Sequence, residues 1–100
     1  MKIEHVAIWT RDLEGMKKFY TDYFGGKAGE KYTNASKSFE SYFISFDSGA
    51  RLELMRMPSI PENLNDRVNQ HIGIAHIAIS VGSIEKVDSI TDELIKAGYT

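Results

Sequence analysis

Two stretches of this chain repeat one pattern at a constant offset of 71 residues. The first runs Ile3-Glu4-His5-Val6-Ala7-Ile8 and continues to Leu13-Glu14; the second runs Ile74-Ala75-His76-Ile77-Ala78-Ile79 and continues to Ile84-Glu85. Five of the twelve aligned positions are identical, and Val6 with Ile77 and Leu13 with Ile84 are like for like. The repeat restricts the chain to a fold built from duplicated strand-then-helix units. A histidine at the same strand position in both copies suggests two equivalent groups brought to one site by pseudo-symmetry. Imidazole is the commonest protein metal ligand, so a metal site is the first hypothesis.

The pattern reads β-α-β-β-β, a linker, then β-α. Lys2–Trp9 alternates and is rich in β-branched residues, which predicts a strand. Ile3, His5, Ala7 and Trp9 fall on one face, and Glu4, Val6 and Ile8 on the other. Asp12 is a good N-cap for a helix that buries Leu13, Met16, Phe19, Tyr20, Tyr23 and Phe24 and ends at Gly25-Gly26. Lys27–Thr33 reads as a weak strand, Asn34–Lys37 as a turn and Phe39–Phe46 as a strong strand. Asp47-Ser48-Gly49 turns the chain into a returning strand, Ala50–Met57. Pro58 and Pro61 open a polar linker. A strand over Ile74–Val81 and a helix from the N-cap Ser83 to Ala97, closed by Gly98, follow.

These elements define a first module over residues 1–57, a linker over 58–73 and the opening βα of a second module over 74–100. A full second copy would run to about position 128. The expectation is an α+β chain of paired βαβββ modules, the second incomplete, with an uncovered sheet edge that a longer chain or a partner chain would complete.

Register places a carboxylate beside the histidines. If Phe46 faces Ala50, then Ile44 faces Leu52, Phe43 faces Glu53 and Tyr42 faces Leu54. Tyr42, Ile44, Leu52 and Leu54 make an apolar face for the helix, so Glu53 points away from it, beside Phe43 and flanked by Arg51 and Met55. Val6 and Ile8 go to the helix, which sends His5 to the opposite face; Ile77, Ile79 and Val81 do the same for His76. A His and carboxylate set suits Zn, Ni, Co, Mn or Fe better than Ca.

With these residues in view, the chain resembles the vicinal-oxygen-chelate superfamily, the glyoxalase I, bleomycin-resistance and extradiol-dioxygenase group. The resemblance rests on Ile3–Ile8, on Asp12-Leu13-Glu14 with Phe19-Tyr20 and Phe24-Gly25, on Arg51-Leu52-Glu53-Leu54, and on Gly73–Ala78. It implies a curved sheet around a metal pocket. It also implies that His5, Glu53 and His76 match three of four metal ligands, the fourth being a glutamate on a final strand at about position 124. In the glyoxalase-like branch the metal chelates two adjacent substrate oxygens while a ligand glutamate moves a proton, which makes Glu53 the candidate catalytic residue. Trp9 stands where some glutathione-using members carry a basic residue, a departure that weighs against thiol-conjugate specificity. In several family members the two modules sharing a metal come from different subunits, so a homodimer is expected.

Each residue also has a plainer reading. Arg51 either anchors an anionic substrate or pairs with a nearby acid. Trp9, Phe43 and Met55 either line an apolar substrate pocket or pack the sheet, and packing leads for Phe39. Glu53 could be the solvent face of an edge strand, paired with Arg51 or His5. His71 reads as a solvated linker residue. A net charge of −2 gives no argument for nucleic acid, and no apolar run approaches a membrane span. The absence of cysteine removes disulfide and thiolate chemistry. With no signal-peptide pattern at the N-terminus, a cytoplasmic protein is expected.

The reading is a metal-dependent lyase or isomerase that takes a small vicinal-oxygen substrate through an enediolate. A thioester epimerase of the same superfamily is one alternative. A metal-free small-molecule binder of the bleomycin-resistance type is another.

Overall fold

The hairpin that organises the sheet forms where a turn around Asp47-Ser48-Gly49 joins two alternating strands. In the computed structural model, which describes residues 1–100, β4 (Phe39–Ser45) and β5 (Arg51–Arg56) pair antiparallel, with Tyr42 opposite Leu54, Phe43 opposite Glu53 and Ile44 opposite Leu52. The register expected from the turn is therefore the observed one. Gly49 adopts φ 80 in that turn, a left-handed conformation that a side chain would disfavour.

The chain divides into two units, Met1–Ile60 and Pro61–Thr100. In the first, β1 (His5–Trp9) lies parallel to β5, with His5 opposite Arg51, Ala7 opposite Glu53 and Trp9 opposite Met55. The helix α1 (Leu13–Phe24) begins at Asp12, whose side chain accepts from the Gly15 N–H, and ends at Gly25 with φ 66. The expected weak strand is split into β2 (Lys27–Ala28) and β3 (Tyr32–Asn34), both antiparallel to β4. Between them Lys31 turns its ammonium to Glu14 at 3.0 Å and Glu40 at 3.5 Å. A single 3₁₀ turn over Ala35–Lys37 leads into β4. The sheet order is β1-β5-β4-β2, with β3 also on β4.

Alternation along these strands gives two faces. One buries Tyr42, Ile44, Leu52 and Leu54 with Leu13 of α1, and Val6, Ile8, Met16 and Tyr20 pack around them. Phe19, Tyr23 and Phe24, expected in the core, are instead partly exposed and stack on one another and on Tyr20. One helix on a sheet face buries only a stripe, which Leu13, Met16 and Tyr20 occupy, so Phe19 and Tyr23 fall to its flank.

Glu14 extends from α1 to the sheet. The Tyr42 hydroxyl donates to its two oxygens at 2.9 and 3.2 Å. The hydrogen bond from Lys31, and then that from Tyr42, holds the Glu14 carboxyl below its ordinary range, while the bond to Glu14 raises both Lys31 and Tyr42.

In the second unit the helix α2 (Ile84–Lys96) starts at Ser83, whose hydroxyl accepts from the Lys86 N–H. Ile90 is its buried residue. The strand expected over Ile74–Val81 is absent: the segment carries no ladder, and Ile74, Ile77 and Ile79 are exposed. A β-pattern becomes a strand only with a partner for its N–H and C=O groups, and this unit contains no second strand. His71 is exposed, as expected, and its backbone N–H donates to Asn65 Oδ1 at 2.8 Å.

Candidate functional site

The face of the first unit's sheet away from α1 gathers the candidate residues in rows. Ala7, Glu53 and Phe43 lie abreast on β1, β5 and β4; one step along, Trp9, Met55 and Ser41 do the same. His5 stands beside Arg51 at the start of the parallel pair. His5 Nε2 is 3.7 Å from Glu53 Oε1. The structure thus brings His5 and Glu53 together on the face to which strand alternation assigns them both.

Glu4 closes the arrangement. Its Oε2 is 2.5 Å from His5 Nδ1, and its Oε1 accepts from Arg51 Nε at 2.8 Å and lies 2.6 Å from Arg51 Nη2. The Arg51 guanidinium sits 4.1 Å from the centre of the Phe43 ring, and the His5 ring meets Phe43 edge-on at 5.2 Å. Four side chains therefore form a closed circuit: His5, Glu4, Arg51 and Phe43. The hydrogen bond from His5, with those from Arg51, holds the Glu4 carboxyl below its ordinary range against partial desolvation.

This corrects the assignment of Glu4 to the helix face. Regular alternation begins only at His5, and a carboxylate gains more from Arg51 and His5 than from an apolar layer under a helix. Alternation alone carried no signal for the contact. Arg51 takes the ion-pair role weighed above, with Glu4 as its acid. Ser41 is a second residue not anticipated: it is buried on the site face, between Met55 of β5 and Tyr32 of β3.

Trp9 is 42% exposed and meets Phe39 edge-on at 6.0 Å, so an indole remains open to solvent beside Met55. His76 belongs to the second unit, exposed on its unpaired segment. The first unit contains no cluster of three His, Asp or Glu side chains arranged to hold a metal.

The donor pair itself fits a metal. Tetrahedral ligands about 2.1 Å from an ion lie roughly 3.4 Å apart, and the 3.7 Å between His5 Nε2 and Glu53 Oε1 needs little adjustment. Glu4 accepts only, so the shared proton sits on Nδ1, which leaves Nε2 free to present a lone pair. A lone pair facing a carboxylate across this distance is a geometry that a metal ion can bridge. A carboxylate on the far nitrogen of a ligating histidine is the usual outer support of a metal site.

The sheet, its order and this donor face define a mixed α+β domain of glyoxalase architecture. The sequence profile of the Glyoxalase/Bleomycin resistance protein/Dioxygenase superfamily matches residues 2–100, and the chain belongs to that superfamily. Among solved structures it is similar to a possible glyoxalase from Bacillus cereus, at 23% identity and TM-score 0.70, covering 98% of this chain and 75% of that one. The trypanothione-dependent glyoxalase I of Leishmania major is similar at 23% identity and TM-score 0.73, covering 97% of this chain and 66% of that one. A glyoxalase family protein from Enterococcus faecalis gives 23% identity and TM-score 0.74, with 92% and 71% covered. These likenesses establish the shared fold. No curated protein sequence matches.

Proposed function

We propose that this chain is a divalent-metal-dependent, glyoxalase-like domain acting on a small molecule with two adjacent oxygens. The supporting observation is the His5 Nε2–Glu53 Oε1 pair at 3.7 Å, with the far side of the imidazole fixed by Glu4. His5 and Glu53 would hold the ion, Zn, Ni, Co, Mn or Fe, with His76 as a third ligand and a fourth from outside residues 1–100. When bound, the metal supplies Lewis acidity that polarises a substrate carbonyl and favours enediolate character.

The protein's own part is positional and protonic. Glu53 relays the proton at the carbon beside the polarised carbonyl, as a carboxylate within hydrogen-bond reach does. Phe43, Met55 and Trp9 form an apolar wall that excludes water and seats the substrate, and Arg51 stiffens that wall from its place over Phe43. In this reading the domain is a cytoplasmic homodimer with no nucleic-acid or membrane partner; no helix is long and apolar enough to cross a membrane.

Native mass spectrometry reads metal content and copy number together. His5→Ala or His76→Ala should lose metal and activity on an α-ketoaldehyde adduct at once. Glu53→Gln should keep part of the metal yet lose far more rate, each ~1.4 kcal/mol of lost transition-state stabilisation being tenfold. Equal metal in wild type and the His5→Ala/His76→Ala double variant would end this reading. It would favour a metal-free binder of the bleomycin-resistance type, for which one observation speaks: His5 and Glu53 already lie within ion-pair distance of each other.

A further inference from the structure

Strand neighbours normally point to opposite faces, so a side chain adjacent to a functional histidine is seldom its partner. Glu4 is an exception. It precedes the first regular residue of β1, and its carboxylate turns to the His5 side of the sheet.

Three restraints hold it there. Its carbonyl accepts from the Arg51 N–H at 2.9 Å, which continues the parallel ladder beyond β1. Its Oε1 takes both Nε and Nη2 of Arg51. Arg51 in turn sits over the Phe43 ring, which also meets His5 edge-on. The free oxygen, Oε2, is thereby aimed at His5 Nδ1. A carboxylate in that place demands a proton on Nδ1. Fixing one ring nitrogen decides the role of the other, so Nε2 becomes the nitrogen presented to Glu53.

We infer that Glu4 is a positioning residue that fixes the tautomer and ring orientation of His5, with Arg51 holding Glu4 in place. The inference concerns the same site as the proposed function and deepens it, but the geometry of the ring is independent of whether a metal binds.

The test separates the two. The chain has only three histidines, so ¹⁵N-edited NMR of the imidazole rings can be assigned with His71→Gln and His76→Gln variants. At a pH where the rings are neutral, metal-free wild type should show His5 in the Nδ1–H form. Glu4→Ala should shift it towards a mixture of tautomers, and Glu4→Gln, which keeps an acceptor oxygen, should restore most of the Nδ1–H population. A merely structural role for Glu4 would lower thermal stability and leave the tautomer unchanged. Wild-type His5 in the Nε2–H form, or a Glu4→Ala variant with the wild-type tautomer, would overturn the inference whatever the metal result.

The second arm titrates Zn²⁺. Loss of an outer carboxylate partner weakens metal sites by roughly 10- to 100-fold, and Glu4→Ala should show a weakening of that order, with Glu4→Gln nearer wild type. Wild type that binds no Zn²⁺ would count against the proposed function, while the tautomer measurement would still decide the role of Glu4.

Discussion

Leu54→Ala tests whether one strand really separates a structural face from a chemical one. Leu54 is fully buried in β5, opposite Ile8 on β1 and Tyr42 on β4. The change removes three carbons, worth about 2.5 kcal/mol at ~0.8 kcal/mol per methylene, and the unfilled space adds on the order of 1 kcal/mol. A loss of about 3–4 kcal/mol is expected. A unit of this size has a stability of roughly 3–9 kcal/mol at typical per-residue values, so the variant should stand near the edge of folding. Trp9 is the only tryptophan and lies on β1, so its fluorescence in urea reports on this sheet. The midpoint should fall steeply with the slope unchanged. Met55→Ala, one residue along and facing the other way, should cost under about 1.5 kcal/mol, because Met55 is only partly buried. A Leu54→Ala loss below about 1 kcal/mol, or a Met55→Ala loss equal to it, would refute the two-face assignment on which the site rests.

Three further outcomes concern the core and its polar clamp. The folded-state carboxyl of Glu14 is lowered, so its contribution is present above the ordinary carboxylate range and lost as pH falls through the folded value; Glu14→Gln should flatten the acid limb of a melting-temperature profile. Tyr42 and Lys31 are raised, so their contributions hold below their ordinary values and are lost as pH rises through the folded ones; Tyr42→Phe should flatten the alkaline limb. Gly26→Ala would put a methyl 2.5 Å from Ile44 Cγ2 and 3.0 Å from the Tyr20 carbonyl oxygen. A loss of about 1–3 kcal/mol is expected in chemical denaturation, and an unchanged midpoint would show that β4 moves aside freely.

The parts legible in the sequence were those decided locally. Asp12 and Ser83 cap their helices through their own side chains, and Gly49 sets the turn that registers Phe43 against Glu53. From that register and the alternation of β1, the shared face of His5 and Glu53 follows; their closeness depends on the parallel pairing of β1 with β5. The parts that escaped depend on distant groups. Residues 74–81 carry the same pattern as β1 but no ladder, since a partner is not encoded in the segment itself. The strand over 27–33 breaks between Ala28 and Tyr32, where Lys31 reaches the distant carboxylates of Glu14 and Glu40. Glu4 departs from the alternation because it lies just outside β1, and alternation describes only residues already inside a strand.

The position of β1 at one end of the sheet order bears on how the donor pair comes into being. The β4–β5 hairpin closes through a five-residue connection and needs no other element. Strand β1 pairs in parallel with β5 only after α1 and the strands between have been spanned, and such closure is slower than a local hairpin. Glu53 is thus placed by a local hairpin, while His5 and Glu4 reach it only through a pairing of long sequence separation. The donor pair is therefore complete only once this long-range pairing forms, and a fusion or deletion that frays the first few residues should part His5 from Glu53 before it unfolds the domain.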